Sequence, residues 1–268
     1  MAKNSLILTA EALRRRSFMR QAGTLGAAGV FGSPVLSALA AEAGHVTLPF
    51  ENGERELVVY PQKRPLILLT ARPPQLETPF SVFNESVITP NDAFFVRYHW
   101  SGIPTAIDAQ TYRLKVGGNV NTPLELSLAD LKQMADATEL VAVNQCSGNS
   151  RGHLSPRANG GQLSNGAMGN ARWTGVPLRK VLEKAGVKAG SVQVSFNGLD
   201  TPPVGDGPDF MKALNIDHAL DGEVMLAWQM NGADLPMLNG YPLRLVVPGY
   251  YGTYWVKHLS DITVTDKV

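Results

Sequence analysis

The chain has 268 residues, 44% of them hydrophobic, enough to bury a core in one large domain or two small ones. Its 24 lysines and arginines barely outnumber its 23 acidic residues, so composition argues against a strongly basic nucleic-acid surface, and no nucleic-acid partner is expected. With one cysteine, Cys146, the chain holds neither an internal disulfide nor a cysteine-ligated iron–sulfur cluster.

Residues 1–40 read as a removable export signal. "RRRSFMRQ" at Arg14 to Gln21 precedes a weakly apolar stretch interrupted by glycines, serines and Pro34, and Ala38-Leu39-Ala40 supplies a small-x-small cleavage pattern. A membrane helix needs about 20 predominantly apolar residues, so no stable membrane insertion is expected once the signal is removed. Arg15-Arg16-Ser17-Phe18-Met19-Arg20 has the form of a twin-arginine signal, which exports folded proteins and so suits a chain that acquires a cofactor before reaching the periplasm. Without Lys3, Arg14, Arg15, Arg16, Arg20 and Glu11, the remainder is mildly acidic.

Residues 41–74 are proline-rich and read as an irregular arm over the surface, with an apolar run at Leu66–Leu69; a catalytic domain is expected over 75–268. Pro90 to Trp100, "PNDAFFVRYHW", predicts a strand that carries Arg97 and His99 on one face by two-residue alternation. "YRLKVGG" and "LELSLADLKQM" predict strand, turn, strand and then a helix capped by Ser127 and Asp130. Val141-Ala142-Val143 reads as the end of a buried strand that opens into the polar loop around Cys146. A second helix is marked by Pro177, apolar residues at 178, 181, 182 and 185, and Gly186. Further strands are expected at Ser191–Phe196, Val224–Met230, Leu243–Val247 and Ile262–Val264, giving a mixed-sheet α+β domain without repeats. The later half is rich in glycine loops, but none has the GxGxxG or Walker pattern, and there is no CxxCH haem motif.

An unpaired cysteine in an exported protein has several readings. It can be an inert buried thiol, a nucleophile with His99, His153 or His218 as base, or the thiolate ligand of a soft metal. Small polar neighbours at a strand end and a cation close by, Arg151, favour thiolate chemistry. The spacing of His45, His99, His153, His218 and His258 offers no zinc motif.

"FFVRYH", "NQCSGNSRG", "ARWTGVPL", "NGLD" and "MNGADLPMLNGYPLRLVVPGYYGTYWVKHLSDI", in this order, resemble the molybdenum-cofactor domain of the sulfite oxidase family, and most of all bacterial exported sulfite dehydrogenases. The resemblance runs over about residues 75–268. It implies a molybdenum–molybdopterin cofactor whose protein ligand is Cys146. It implies that Arg97 and Arg151 line an anion pocket with Trp173 beside it. Tyr98, His99, Asp200, Asn239, Arg244, Trp255, Val256 and Lys257 fall where the family holds the pterin and its phosphate. Position 239 departs from the animal enzymes, which carry histidine there; asparagine can still donate to a phosphate. His153 and His218 have no matching role.

The implied activity is oxidation of sulfite to sulfate by oxo transfer, with electrons passed to a separate c-type cytochrome. The alternatives are a periplasmic reductase of methionine sulfoxide or other S-oxides, and a truncated cofactor-binding protein without turnover. The family's β-sandwich dimerisation domain, its catalytic tyrosine and a third pocket arginine would lie beyond Val268.

Overall fold

The computed structural model describes residues 44–267, so the export signal expected at 1–40 lies outside the described residues. The first sheet is antiparallel, built in chain order from β1 (His45–Leu48), β2 (Gly53–Val58), β3 (Leu66–Ala71), β4 (Pro74–Glu77) and β5 (Val96–Arg97). Three of these strands fall in the segment expected to be an irregular arm. Proline density suggested irregularity, but the prolines at 49, 61 and 65 sit between strands, where a missing N–H costs no ladder bond. The strand expected over Pro90–Trp100 shrinks to the two residues of β5. Residues 91–94 form a turn in which Ala93 N–H donates to the Pro90 carbonyl at 3.0 Å.

The second sheet holds β6 (Leu114–Gly118) and β7 (Leu124–Leu126), followed by helix α1 (Leu128–Met134). Ser127 and Asp130 close a reciprocal capping box at the start of α1, as the sequence predicts. The third sheet begins with β8 (Thr138–Gln145) and β9 (Met168–Pro177), which leads into α2 (Leu178–Ala185). Helix α2 buries Leu178, Val181, Leu182 and Ala185 on one face, and Gly186 ends it at φ 69°, the left-handed conformation that glycine adopts without strain. The chain continues through β10 (Gln193–Gly198), β11 (Lys212–Asn215), α3 (Ile216–Leu220), β12 (Met225–Met230), β13 (Ala233–Asp234), β14 (Arg244–Val246) and β15 (Leu259–Thr265).

The second sheet has the order β11-β10-β15-β6-β7, with β15 parallel to β6. The third has the order β13-β12-β9-β8, with β14 also paired to β12. This is the mixed-sheet α+β architecture expected. Buried residues from the second and third sheets and the helices share one core, including Phe196, Val176, Leu182 and Leu226. Among the described residues no helix is long and apolar enough to cross a membrane.

Strand β8 corrects another expectation. It pairs with β9 and lies at the sheet's edge, and its alternation turns Val141 and Val143 outward, 49% and 51% exposed, while Asn144 faces in. A Val-Ala-Val triplet carries β propensity but does not say which face is covered.

One buried carboxylate ties the first sheet to the loop around Cys146. Glu77, at the end of β4, is fully buried and accepts from Ser164 N–H at 3.0 Å, Ser164 Oγ at 2.6 Å and Gly166 N–H at 3.2 Å. That loop in turn receives the backbone N–H of Cys146 at Ala167 O and of Ser150 at Ser164 O. Glu77→Gln turns an amide toward these donors and leaves buried groups unpaired, so urea unfolding is expected to show a loss of about 2 kcal/mol.

Candidate cofactor site

Segments from all three sheets converge on one cavity enclosing about 780 Å³ of space open at its mouth. The stretch through β5 supplies Arg97, Tyr98 and His99; the end of β8 supplies Asn144, Cys146 and Ser147. Asp200 and Phe210 come from the glycine-rich loop after β10. The segment between β13 and β15 adds Asn239, Arg244, Trp255, Val256 and Lys257. Every residue that the family resemblance assigned to cofactor binding therefore lines this cavity, and so does Arg97.

Arg151 and Trp173 are not among the lining residues. The Arg151 guanidinium packs against Gly148 and Gly160 and reaches the Gly161 carbonyl at 3.4 Å, acting on Arg97 as a nearby like charge. Trp173 is sealed in the core, donates from Nε1 to the Ala142 carbonyl at 3.1 Å, and lies 4.8 Å beneath the Arg244 guanidinium. It supports a lining cation from behind. His99 lines the mouth, stacked on Phe210 at 4.4 Å; His153 and His218 lie outside the lining set.

Cys146 is half-buried, and its sulfur accepts from the Gly148 N–H at 3.4 Å in the tight loop after β8. Burial draws the Arg97 guanidinium below its ordinary range; the neighbouring Cys146 opposes that fall and Arg151 adds to it. Deeper in, burial draws Arg244 down to about 10 and pushes Lys257 well below the ordinary lysine range, with Arg244 adding to the latter effect. Asp200 is raised by burial, and Lys257 opposes the rise.

Two functional candidates escape the sequence reading. Lys63, in the loop between β2 and β3, is buried behind the cavity, with its Nζ on the carbonyls of Asn91 (2.6 Å) and Phe94 (3.0 Å) and on Asn239 Oδ1 (2.5 Å). Burial lowers it to about 7. It fixes the Asn239 amide so that Nδ2 donates to the Phe95 carbonyl at 3.1 Å. A lysine before an apolar run in a proline-rich segment carries no local signal of this role. Asn144 is the other, two residues before a cysteine that did carry a signal.

The donor set fits a large anionic cofactor. Arg97, Arg244 and Lys257 line the cavity, Lys63 stands behind it, and among the described residues Asp200 is the only carboxylate lining it. Arg244 Nε and Asn144 Nδ2 are buried hydrogen-bond groups without a partner among the described residues. Buried polar groups are almost always paired, so an acceptor-rich occupant is implied. A phosphate suits the cations, and a sulfur ligand suits a soft metal. Fold and cavity together define a binding domain for a phosphorylated, metal-carrying cofactor.

Comparison with known proteins supplies the family. Residues 100–268 match the oxidoreductase molybdopterin binding domain, and the chain belongs to that family. It is similar to the mitochondrial sulfite oxidase of Rattus norvegicus, 37% identical over 215 residues that make up 77% of this chain and 38% of that protein. It is also similar to the NADPH nitrate reductase of Mycosarcoma maydis, 34% identical over 225 residues, 75% of this chain and 22% of that protein. Among solved structures, the sulfane dehydrogenase SoxCD from Paracoccus pantotrophus superposes with a TM-score of 0.63 at 27% identity, over 90% of this chain and 57% of that one. The chain thus spans from about a fifth to just over half of these relatives' lengths. The cofactor of the family is molybdopterin, in agreement with the donor set described above.

Beneath the cavity, His258 is fully buried between the Tyr98 hydroxyl, 2.7 Å from Nε2, and the Tyr241 carbonyl, 2.6 Å from Nδ1. The carbonyl can only accept, so Nδ1 carries the proton and Nε2 accepts from Tyr98. Burial is the main cause that lowers His258 to about 4, and it raises Tyr98, keeping its hydroxyl protonated. Because the folded value lies below the ordinary 6.5, the unfolded chain takes up the proton first as pH falls. Stability is full above about pH 6.5 and declines toward pH 4, by roughly 3 kcal/mol at about 1.4 kcal/mol per unit. Urea unfolding across this window is expected to show that decline in the native protein and a smaller one in His258→Gln.

Proposed function

We propose that this protein is a periplasmic sulfite dehydrogenase, exported by the twin-arginine route, that oxidises sulfite to sulfate and passes the electrons singly to a separate c-type cytochrome. Water supplies the added oxygen, and the balance is one sulfite and one water to one sulfate, two protons and two electrons. The bound molybdenum–molybdopterin supplies oxygen-atom transfer and accepts two electrons at once.

The observation that carries the reading is the placement of Arg97 beside Cys146 at the cavity wall, with Arg151 as a second cation close behind. Sulfite and sulfate are compact oxyanions, and a guanidinium offers forked, permanently charged donors to two oxygens together. Arg97 is held for this by its bond to the Tyr98 carbonyl, and Lys257 secures the Arg97 carbonyl at 2.5 Å. Substrate is thereby oriented on the side where Cys146 offers its sulfur to the metal. Arg244, Lys257 and Lys63 concentrate positive charge at the deeper end, which suits the phosphate of the pterin. Relatives named as sulfite oxidase and sulfane dehydrogenase support sulfur chemistry; the nitrate reductase among the relatives leaves other oxyanions to be tested beside it.

Cys146→Ser removes the soft ligand and is expected to abolish sulfite-dependent reduction of ferricytochrome c; normal turnover with intact cofactor would contradict the assignment. Arg97→Lys keeps the charge but loses the fork, so molybdenum content is retained while KM for sulfite rises about tenfold, the loss of roughly 1.4 kcal/mol. An unchanged KM would remove Arg97 from the substrate site. The same preparations assayed with nitrate, and with methionine sulfoxide and a reduced dye, test the competing substrates.

A further inference from the structure

Asn144 has no assigned role, yet it meets the cavity from a privileged position. Alternation along β8 points residue 144 inward, and residue 146 follows on the same side, about 7 Å further along the chain at strand spacing. Asn144 is 2% exposed and lines the same cavity as Cys146. Its Nδ2 carries two hydrogens, and no described residue accepts from them. The neighbouring backbone is shaped around this side chain: a Cβ at Gly252 would stand 2.7 Å from Asn144 Oδ1, so glycine there lets the amide lie against the chain.

A buried donor without a partner is costly, and persists where an occupant completes it. Proximity to Cys146 restricts which part of the occupant that is. The cations that reach the deeper end stand on other segments, while Asn144 sits on the strand that delivers the sulfur ligand. We propose that Asn144 Nδ2 donates a hydrogen bond to an electron-rich ligand atom of the metal held at Cys146, making it a positioning residue that tunes the centre. The proposal rests on the molybdenum-cofactor reading and is independent of the choice of sulfite as substrate.

A hydrogen bond to a metal's ligand atom withdraws electron density and favours the reduced state. Asn144→Leu keeps the branched skeleton and removes the donor, and Asn144→Ala is a second donor-free variant should the bulkier leucine disturb the fold. Circular dichroism checks folding; metal analysis and pterin fluorescence check loading. The readout is the Mo(V) signal followed by electron paramagnetic resonance through a potentiometric titration. Both midpoint potentials are expected to fall and the g-values to move in either folded variant. Faster loss of molybdenum from a folded variant on dialysis, about 10- to 100-fold weaker retention, also supports the role. Unchanged signal, potentials and retention in a loaded variant overturn it. A native protein that takes up neither molybdenum nor pterin in a host that makes the cofactor overturns the cofactor reading, and this proposal with it.

Discussion

Four basic side chains stand around the cavity, Arg97, Arg244 and Lys257 on its wall and Lys63 behind it, and among the described residues none of them is salt-bridged to a carboxylate. Arg97 is bonded to the Tyr98 carbonyl, Lys257 to the Arg97 carbonyl, Lys63 to two carbonyls and an amide oxygen, and Arg244 to the carbonyls of Asn239 and Trp255. Aromatic faces complete the arrangement, Tyr98 under Lys257 at 3.3 Å and Trp173 under Arg244 at 4.8 Å. Backbone dipoles and ring faces solvate a charge but leave its sign intact. The field therefore remains available to an anion, and desolvation makes it stronger than the same charges would produce in water. Had carboxylates held these side chains, the cavity would be electrically quiet.

That arrangement sets demands on the surrounding fold. Carbonyls can point at a cation only where they are released from sheet ladders, which is why the site gathers at strand ends and loops: the stretch after β5, the tip of β8, and the turns between β13 and β15. His258 shows the other half of the design. Lying beside Lys257 and Arg244, it is kept neutral chiefly by burial, which the charge of those two side chains reinforces and the bond from Nδ1–H to the Tyr241 carbonyl opposes. A further positive charge there would add repulsion beneath Lys257 and Arg244.

Much of the site was legible in the residues, and for an identifiable reason. Arg97, Tyr98 and His99 come from one short stretch, Cys146 and Ser147 from another, and Trp255, Val256 and Lys257 from a third, so short motifs preserve their local grouping. Helices α1 and α2 were equally readable, because the capping box at Ser127 and the 3.6-residue spacing through Leu178 and Ala185 are local patterns. Lys63, Asn144 and Glu77 were not legible. Lys63 and Glu77 act through partners far away in the chain, 176 residues for Lys63 and Asn239 and 87 for Glu77 and Ser164, while Asn144 Nδ2 has no partner among the described residues, and nothing in the flanking residues encodes any of these roles.

By itself, then, the sequence determined the α+β class, the solitary thiol in a polar loop, and the stock of arginines, lysines and aromatic residues that any oxyanion chemistry here must use. Only the tertiary structure decided which of those charges face a common space. It placed Arg151 and Trp173 behind the wall, turned Val141 and Val143 outward, and made strands of the segment between Gly53 and Ala71. The physical reason is that the direction of a side chain depends on which face of its strand is covered, and covering is the work of residues distant in sequence.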